Sequence, residues 1–372
     1  MIDNERTCAY VDLSAVEYNY NSIRKLLSDN VKILCVVKAD AYGHGAVETA
    51  RKLESLGAGY LGVATINEGL ELRNNEISMP ILVMSGILTK HDIDYAYTHE
   101  LTPVVYDIGT LRRLREESLN REGILKIHIK LDTGMGRLGF VPDELQGVIK
   151  EINAPSRIDI EGFMSHFAAS DNRDEYGFEQ ILTFSKALRL LRDNGINPEL
   201  VHMANSGAVV KYPEAHFNMV RVGIALYGSY PAKELSKALH VKPVMKLVSR
   251  VATLKEFPPG SSLSYDRTFI TRKNTMIACV PVGYADGYPR MLSNKGSVLI
   301  NDKRYNIVGR ICMDWLLVDV TDDKSVSVGC EVVLLGEGVN DVITADEIAE
   351  QTGTIPYEIL CKISKRVPRV YI

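Results

Sequence analysis

Residues 36–45 read VVKADAYGHG and set a lysine, Lys38, directly after an apolar run. Residues 31–37 are apolar except for Lys32 and rich in β-branched residues, and the continuous run 33–37 is typical of a strand buried on both faces of a parallel sheet. An ammonium group at the edge of a core is costly unless it is paired, neutralised or used in chemistry. Most lysines at strand ends simply reach solvent. Here Gly43 and Gly45 allow the backbone to approach a ligand, so we expect a chemical role for Lys38.

The same strand-and-helix unit recurs along the chain from residue 31. Short apolar or β-branched runs alternate with amphipathic stretches of helical period. The eight predicted strands are 33–37, 60–65, 80–84, 102–106, 125–131, 157–164, 200–202 and 219–227. The predicted helices are 45–56, 66–73, 90–97, 109–117, 142–152, 174–194 and a short segment from Ser206. Eight parallel strands that alternate with helices predict an α/β fold with a TIM-type (β/α)8 barrel.

A second pattern begins after this barrel. Short strands separated by turn residues are predicted at 245–254, 276–282, 296–300, 305–308, 316–320 and 331–335, with a helix at 345–351. We therefore expect residues 1–237 to form the barrel and residues 238–372 to form a mostly β domain. The apolar segment 9–13 is expected to pair into that second domain. Ser14 and Glu17 predict a capping box for the first helix.

Composition excludes several classes of protein. A net charge of −4 without a basic stripe argues against nucleic-acid binding. No run approaches the roughly 18 apolar residues that a membrane span requires, and the first residues lack the apolar core of a signal peptide. The six cysteines are scattered, which argues against a zinc knuckle or a disulfide framework. We expect a cytoplasmic protein with reduced thiols.

Polar residues fall at the carboxyl ends of the predicted barrel strands, where barrel enzymes carry out chemistry. Any one of them has an ordinary explanation, such as a buried histidine bonded to a carbonyl. Together they share one rim and predict an active site. These residues are Lys38, Lys130, Asp132, Arg137, His166, His202, Asn205 and Arg221.

A lysine beside glycine-rich turns favours pyridoxal 5'-phosphate as the cofactor. The lysine amine forms a Schiff base with the cofactor aldehyde, and the phosphate needs backbone N–H donors. Segments 205–207 and 221–224 follow strands seven and eight, where barrels usually bind phosphate. The alternative is a metal-dependent hydrolase with ligands His166, His202, Lys130 and Asp132. That class places an H-x-H pair after strand one, which is missing, so we expect no metal.

Several segments resemble the motifs of the alanine racemases, in the same order along the chain. They are KADAYGHG (38–45), KLDTGMGRLG (130–139), VRVG (220–223), GYADG (283–287) and RICMD (310–314). The resemblance extends from about residue 9 to residue 369, essentially the whole chain. It implies a barrel followed by a β domain, a pyridoxal phosphate cofactor, a homodimer with shared active sites, and a role in D-alanine supply for bacterial peptidoglycan.

The resemblance implies a two-base mechanism in which Lys38 and Tyr265 are the catalytic groups. Racemisation removes the α-proton from one face of a planar carbon and returns one to the other, so two groups are needed. Tyr265 would reach in from the β domain of the partner subunit. A phenol with an ordinary pKa of about 10 is a poor base at neutral pH, so it needs a nearby positive group or hydrogen-bond partner. His166 and Arg221 are the expected source.

Other roles also follow from the resemblance. Arg221 would bond the pyridine nitrogen, and because a guanidinium can only donate, it would weaken the electron sink and suppress side reactions. Arg137 would bind the substrate carboxylate with the backbone N–H of the partner's Met313. Lys130, which is often carbamylated in this family, would orient Arg137. Cofactor contacts are expected from Tyr42, His166, Asn205, Ser206, Arg221, Gly223, Ile224 and Tyr357, with supporting positions at Lys130, His202, Tyr284 and Asp314.

Two departures from the family pattern bear on substrate choice. Asp266 follows Tyr265 where the family usually has glycine, and Trp315 stands where the family often has glutamine. Retention of Tyr357 favours alanine over serine. The alternatives are a serine or broad-specificity racemase, a barrel-type pyridoxal phosphate decarboxylase, and a non-catalytic carrier of the cofactor. A decarboxylase would place a carboxylate at the position of Arg221, and a carrier would need only the barrel.

Overall fold

The structure is a computed structural model that describes residues 6–372. After the first strand, β1 (Thr7–Val11), eight parallel strands close into a barrel in chain order. These are β2 (Lys32–Val36), β3 (Tyr60–Val63), β4 (Ile81–Val83), β5 (Leu101–Val105), β6 (Leu125–Lys130), β7 (Ile158–Met164), β8 (Leu200–His202) and β9 (Met219–Val222). The predicted barrel is confirmed. The largest difference from the predicted bounds concerns the last barrel strand, predicted at 219–227. Strand β9 ends at Val222, and a 3-10 turn follows over Ile224–Tyr227.

The helices of the first part of the chain surround the barrel or cross its carboxyl end. They are α1 (Leu13–Arg24), α2 (Lys38–Gly43), α3 (Ala46–Ser55), α4 (Ile66–Asn74), α5 (Lys90–Thr98), α6 (Ile108–Leu119), α7 (Leu145–Ile152), α8 (Glu175–Asp193) and α9 (Ser206–Lys211). The predicted capping box at Ser14 and Glu17 is wrong. Because β1 ends at Val11, the helix starts earlier, and Asp12 Oδ1 accepts the N–H groups of Ser14 and Ala15.

The second part of the chain is mostly β, as predicted. Its elements are β10 (Met245–Arg250), β11 (Thr253–Phe257), β12 (Ser262–Leu263), β13 (Phe269–Ile270), β14 (Thr275–Val280), β15 (Ser297–Ile300), β16 (Lys303–Asn306), β17 (Leu316–Asp319), β18 (Glu331–Glu337), β19 (Val342–Ile343), α10 (Ala345–Thr352), α11 (Pro356–Lys362) and β20 (Arg369–Tyr371). The sequence pattern did not predict α11, although Pro356 at its first turn is a helix-start signal.

Strand β1 belongs to the sheet of this second part, as expected for the N-terminal apolar segment. It pairs antiparallel with β10, Ala9 opposite Leu247, and parallel with β20, Ala9 opposite Arg369. The barrel is closed and has no edge to offer, so an apolar strand before it must pair elsewhere. The main sheet therefore runs β16-β15-β18-β10-β1-β20.

Helix α11 ties the two parts together beside Lys38. A Cβ at Gly43 would lie 2.4 Å from the carbonyl oxygen of Leu360, and Arg369 Nε donates to the Gly43 oxygen at 3.0 Å. Only glycine permits this approach of α11 to α2. The division of domains at residues 237 and 238 stays a prediction. None of the helices within residues 6–372 is long and apolar enough to cross a membrane.

Candidate active site

A cavity of about 600 Å³ opens at the carboxyl end of the barrel. Most of the residues expected to act there line it, and one of them, Tyr357, belongs to α11 of the second part of the chain. The predicted residues among its lining are Lys38, Tyr42, Lys130, Arg137, His166, Asn205, Ser206, Arg221, Gly223, Ile224 and Tyr357. The lining residues that the sequence did not single out are mostly small or apolar: Val36, Ala39, Ala64, Met84, Ser85, Leu138, Met164 and Cys361.

The turn that carries Lys38 is left-handed. Residues 39–42 have φ between 52° and 54°, although none of them is glycine. This conformation costs about 1–2 kcal/mol per residue, so surrounding contacts must hold it. Glu68 Oε1 accepts the N–H of Ala39 at 2.7 Å, Asp40 Oδ1 accepts the N–H of Ala46 at 2.8 Å, and His44 Nδ1 bonds the Ala41 oxygen at 2.9 Å. The turn thus directs Lys38 and Tyr42 to the cavity.

The Lys38 amine lies in a partly buried, positively charged setting. Burial lowers the pKa of Lys38, and the nearby Arg137 guanidinium lowers it further. A larger fraction of the amine is therefore neutral near pH 7 than for a free lysine. The neutral amine is the form that attacks a carbonyl or accepts a proton.

Arg221 is the most completely bonded side chain of the cavity and is 3% exposed. Its Nη1 donates to His202 Nδ1 at 3.0 Å, and its Nη2 donates to the Ser165 oxygen at 2.7 Å and to His166 Nδ1 at 2.8 Å. A guanidinium has no acceptor, so both histidine Nδ1 atoms must accept and both rings carry their proton on Nε2. Burial and the charge of Arg221 hold the pKa of each histidine well below its usual range.

His166 is therefore uncharged. Of the two residues expected to provide positive charge for Tyr265, only Arg221 can do so, whereas His166 has a single N–H to donate. His202 bonds Arg221 and is not among the residues that line the cavity.

One corner of the cavity is lined by three hydroxyl groups that can donate hydrogen bonds, those of Tyr42, Ser206 and Tyr357. Asn205 caps α9 by accepting two backbone N–H groups, and Ser206 Oγ accepts the N–H of Gly223 at 3.0 Å. A Cβ at Gly223 would lie 2.6 Å from Tyr42 Oη, so only glycine leaves room there. Burial raises the pKa of Tyr42 and of Tyr357, and both hydroxyls stay protonated. This corner suits a phosphate.

A tight loop presents Arg137 on the opposite side. The Asp132 carboxylate accepts the N–H groups of Gly134 at 2.8 Å, Gly136 at 3.1 Å and Arg137 at 3.1 Å. Burial raises the pKa of Asp132, but these backbone bonds outweigh that effect and the pKa lies below its usual value. Asp132, one of the rim residues, thus shapes the loop and does not line the cavity.

Lys130 stands beneath this loop and is 6% exposed. Burial lowers its pKa to about 8, with further lowering by Arg221 and Arg137. Four cationic side chains, Lys38, Lys130, Arg137 and Arg221, line the cavity, and none of the lining residues within 6–372 is a carboxylate. The cavity therefore fits a ligand with several negative charges, such as a cofactor phosphate together with a substrate carboxylate.

Four predicted residues lie apart from this cavity on the second domain: Tyr265, Tyr284, Met313 and Asp314, called the β-domain cluster below. Hydrogen bonds to backbone oxygens hold it together, with Ser264 Oγ donating to the Arg310 oxygen at 2.5 Å and the N–H of Tyr284 donating to the Cys312 oxygen at 3.1 Å. Tyr265 is 66% exposed and Met313 is 52% exposed. The chain thus carries two separate groups of expected site residues.

Comparison with known proteins agrees with this geometry. Residues 11–231 match the family model described as alanine racemase, N-terminal domain, and residues 244–371 match alanine racemase, C-terminal domain. The chain is 44% identical over 366 residues to an alanine racemase of Halothermothrix orenii, covering 98% of this chain and 96% of the relative. It is 43% identical over 375 residues to alanine racemase 2 of Caldanaerobacter subterraneus, covering 100% and 96%.

Solved structures give the same result. An alanine racemase of Clostridium difficile superposes with a TM-score of 0.94 at 39% identity, covering 99% of this chain and 96% of that one. An alanine racemase of Bacillus anthracis, solved with bound L-Ala-P, superposes with a TM-score of 0.93 at 36% identity, covering 99% and 95%. With this barrel, this cavity and these relatives, the chain belongs to the alanine racemase family, whose members are pyridoxal 5'-phosphate-dependent enzymes that interconvert L- and D-alanine.

Proposed function

We propose that this chain racemises alanine with pyridoxal 5'-phosphate by a two-base mechanism. The observation that carries the proposal is the buried Arg221, a residue that can only donate, in the same cavity as the lysine Lys38. A barrel-type decarboxylase would instead place a carboxylate there to protonate the ring nitrogen. The Arg221 guanidinium would leave that nitrogen unprotonated and would weaken the withdrawal of electrons by the cofactor ring, which suits reversible proton transfer.

The residues of the cavity fit the cofactor in size, charge and donor set. Lys38 would bond the aldehyde carbon, Arg221 would face the pyridine nitrogen, and the donor-rich corner would bind the phosphate. When bound, the cofactor withdraws electrons from the amino acid and acidifies its α-C–H bond. The residues proposed to contact it are Lys38, Tyr42, His166, Asn205, Ser206, Arg221, Gly223, Ile224 and Tyr357.

The chain's own residues handle the substrate and the protons. Arg137 would hold the substrate carboxylate together with the backbone N–H of the partner's Met313. Lys38 Nζ would accept or return the α-proton on one face, because its lowered pKa makes the neutral amine more abundant than in a free lysine. The hydroxyl of the partner's Tyr265 would serve the other face.

We propose a homodimer whose active sites are shared between subunits. The β-domain cluster does not line the cavity of its own chain, and Tyr265 is 66% exposed. A two-base site is incomplete without a group on the second face. A head-to-tail pair in which each β-domain cluster covers the cavity of the other subunit supplies it.

Mixed dimers of two inactive variants test this arrangement. Lys38→Ala and Tyr265→Phe subunits carry different tags, and dimers that contain one of each are purified. With shared sites, one of the two sites in each mixed dimer has both native residues, so about half of the wild-type activity per dimer returns. With unshared sites every active site keeps one defect, and no activity above the two parents would refute the proposal.

The substrate preference is tested by measuring kcat/KM for L-alanine and L-serine side by side with a chiral readout. A preference for alanine of tenfold or more, about 1.4 kcal/mol, supports the alanine assignment. Equal or better turnover of serine would favour a serine or broad-specificity racemase, with Asp266 and Trp315 as the residues that reshape the pocket. Release of carbon dioxide without α-proton exchange would favour the decarboxylase.

We also propose that the enzyme acts in the cytoplasm and supplies D-alanine for peptidoglycan precursors. We place the division between the cofactor-binding barrel and the β domain at residues 237 and 238. The support for the division is the change from alternating strands and helices to short antiparallel strands.

A further inference from the structure

A chain of buried hydrogen bonds runs from Arg221 through the inside of the barrel. His202 Nε2 bonds His128 Nδ1 at 2.8 Å, and His128 Nε2 bonds Glu161 Oε2 at 3.2 Å. Both histidines are fully buried and Glu161 is 8% exposed. The relay, defined as Arg221, His202, His128 and Glu161, thus links four adjacent strands, β9, β8, β6 and β7. It leads from the cavity toward the opposite end of the barrel.

The direction of every bond in the relay follows from its two ends, because Arg221 can only donate and the Glu161 carboxylate can only accept. Because Arg221 can only donate, His202 Nδ1 accepts, and the single proton of the neutral His202 ring lies on Nε2. That N–H meets His128 Nδ1, which must therefore accept, so His128 carries its own proton on Nε2. The last acceptor is the carboxylate of Glu161. The relay works only if it ends on a group that accepts.

The surroundings of Glu161 keep it in that accepting state. Tyr60 Oη donates to Glu161 Oε2 at 2.8 Å, and Lys126 Nζ lies 2.8 Å from Glu161 Oε1. Burial alone raises the pKa of Glu161, but the bonds from His128, Lys126 and Tyr60 outweigh it and bring the pKa to about 2. A Cβ at Gly162 would lie 2.4 Å from the His128 ring, so a glycine next to Glu161 makes room for the relay.

We propose that Glu161 is a positioning residue for Arg221. Its carboxylate fixes the proton of His128 on Nε2, so that His128 Nδ1 accepts from His202 Nε2 and His202 Nδ1 stays the acceptor that holds Arg221 Nη1. Without an acceptor at position 161, either tautomer of His128 is allowed, and one of them sets two N–H groups against each other along the relay. This inference rests on the proposed function for its effect on catalysis, whereas the tautomers can be measured independently of any activity.

The test compares three variants of the full-length enzyme. Glu161→Gln keeps an oxygen acceptor for His128 without the charge, and Glu161→Leu has no acceptor. Lys126→Met is the matched control, since Lys126 binds the other carboxylate oxygen and leaves the His128 bond in place. Protein labelled with ¹⁵N-histidine reports both tautomers between pH 6 and pH 9, with His128→Gln used to assign the His128 signals.

Wild type, Glu161→Gln and Lys126→Met are expected to show neutral Nε2–H tautomers for His128 and His202 at every pH. Glu161→Leu is expected to show mixed tautomers and a kcat for alanine lowered about tenfold or more, with KM nearly unchanged. Unchanged tautomers and kcat in Glu161→Leu would refute the positioning role, as would equal losses in the Leu and Gln variants. A wild-type enzyme that shows these tautomers and does not racemise alanine would refute the proposed function and leave the relay intact.

Discussion

The barrel cavity and the β-domain cluster are built in different ways. In the cavity the innermost side chains are buried: Arg221 and Lys130 are 3% and 6% exposed, and Arg221 bonds to His202 and His166. In the β-domain cluster, hydrogen bonds to backbone oxygens hold side chains that project to the surface, and Tyr265 and Met313 are 66% and 52% exposed. The first group has its charges arranged before any ligand arrives. The second leaves its side chains exposed, so they can contact a substrate only when another surface covers them. We therefore assign them to the partner's site.

The largest effect is expected when Lys38 is removed from the cavity. Lys38→Ala is expected to abolish visible cofactor absorbance and to lower racemisation by at least about 10³-fold, because the covalent link and one acid/base group are lost together. Absorbance spectra and a chiral assay check both effects. Lys32→Ala, at the start of β2 and paired with Glu199, should leave both intact. An unchanged spectrum in Lys38→Ala would contradict the cofactor assignment.

Removing the Tyr265 hydroxyl should impair only the contribution of the β-domain cluster and leave cofactor binding in the cavity intact. Tyr265→Phe is expected to keep the visible absorbance and to lower racemisation by about 10²–10⁴-fold, since one face loses its acid/base group. The loss should fall chiefly on proton abstraction from L-alanine, measured as α-proton exchange in D₂O for each enantiomer. Tyr95→Phe, an exposed tyrosine on α5, is the control. Equal loss for both enantiomers would count against two bases.

A smaller effect is expected at Lys130, where the prediction concerns formation of a carbamate in the cavity. Its pKa of about 8 leaves a neutral amine that can combine with CO₂ to give a carbamate and a proton. The neutral fraction grows as pH rises, so a carbamate signal from ¹³C-bicarbonate should increase from pH 6 to pH 9. Lys130→Arg cannot form a carbamate and should lose the signal and about tenfold in kcat/KM, because Arg137 loses its anionic partner. A signal that survives in Lys130→Arg would place the carbamate elsewhere.

The smallest effect is expected in the β-domain loop that carries Tyr265. Asp266 has φ of 60°, which glycine adopts without strain. Asp266→Gly should raise the free energy of unfolding by about 0.5 kcal/mol and change kcat little, because the exposed pair with Arg310 at 3.5 Å contributes little. Urea denaturation measures this effect. Arg310→Gln removes the pair without relieving the backbone, so a gain of the same size in that variant would contradict the explanation.

Much of the fold was accessible from the sequence. The alternation of apolar runs and amphipathic stretches predicted all eight barrel strands and the change to a β domain, because burial on both faces leaves a local signature in each strand. The motifs around Lys38, Lys130 and Arg221 also predicted which residues meet at the barrel rim. On β6, the polar residues Lys126, His128 and Lys130 alternate with apolar ones, and this alternation is the local signal of the relay.

Other features depend on contacts between segments far apart in the chain. The left-handed turn at residues 39–42 depends in part on Glu68, 29 residues further along the chain, which accepts the N–H of Ala39. The charge state of His166 and the tautomers of the relay depend on a guanidinium from another strand.

Sequence order was thus sufficient for the barrel, the second domain and the identity of the residues at the rim, because hydrophobic period and motif spacing are local properties. Only the tertiary structure separated those residues into a buried cavity and an exposed cluster. Exposure depends on which surfaces meet in space, and linear spacing carries no information about that. The same reason makes Glu161 visible only in three dimensions, where it ends the hydrogen-bonded path that begins at Arg221.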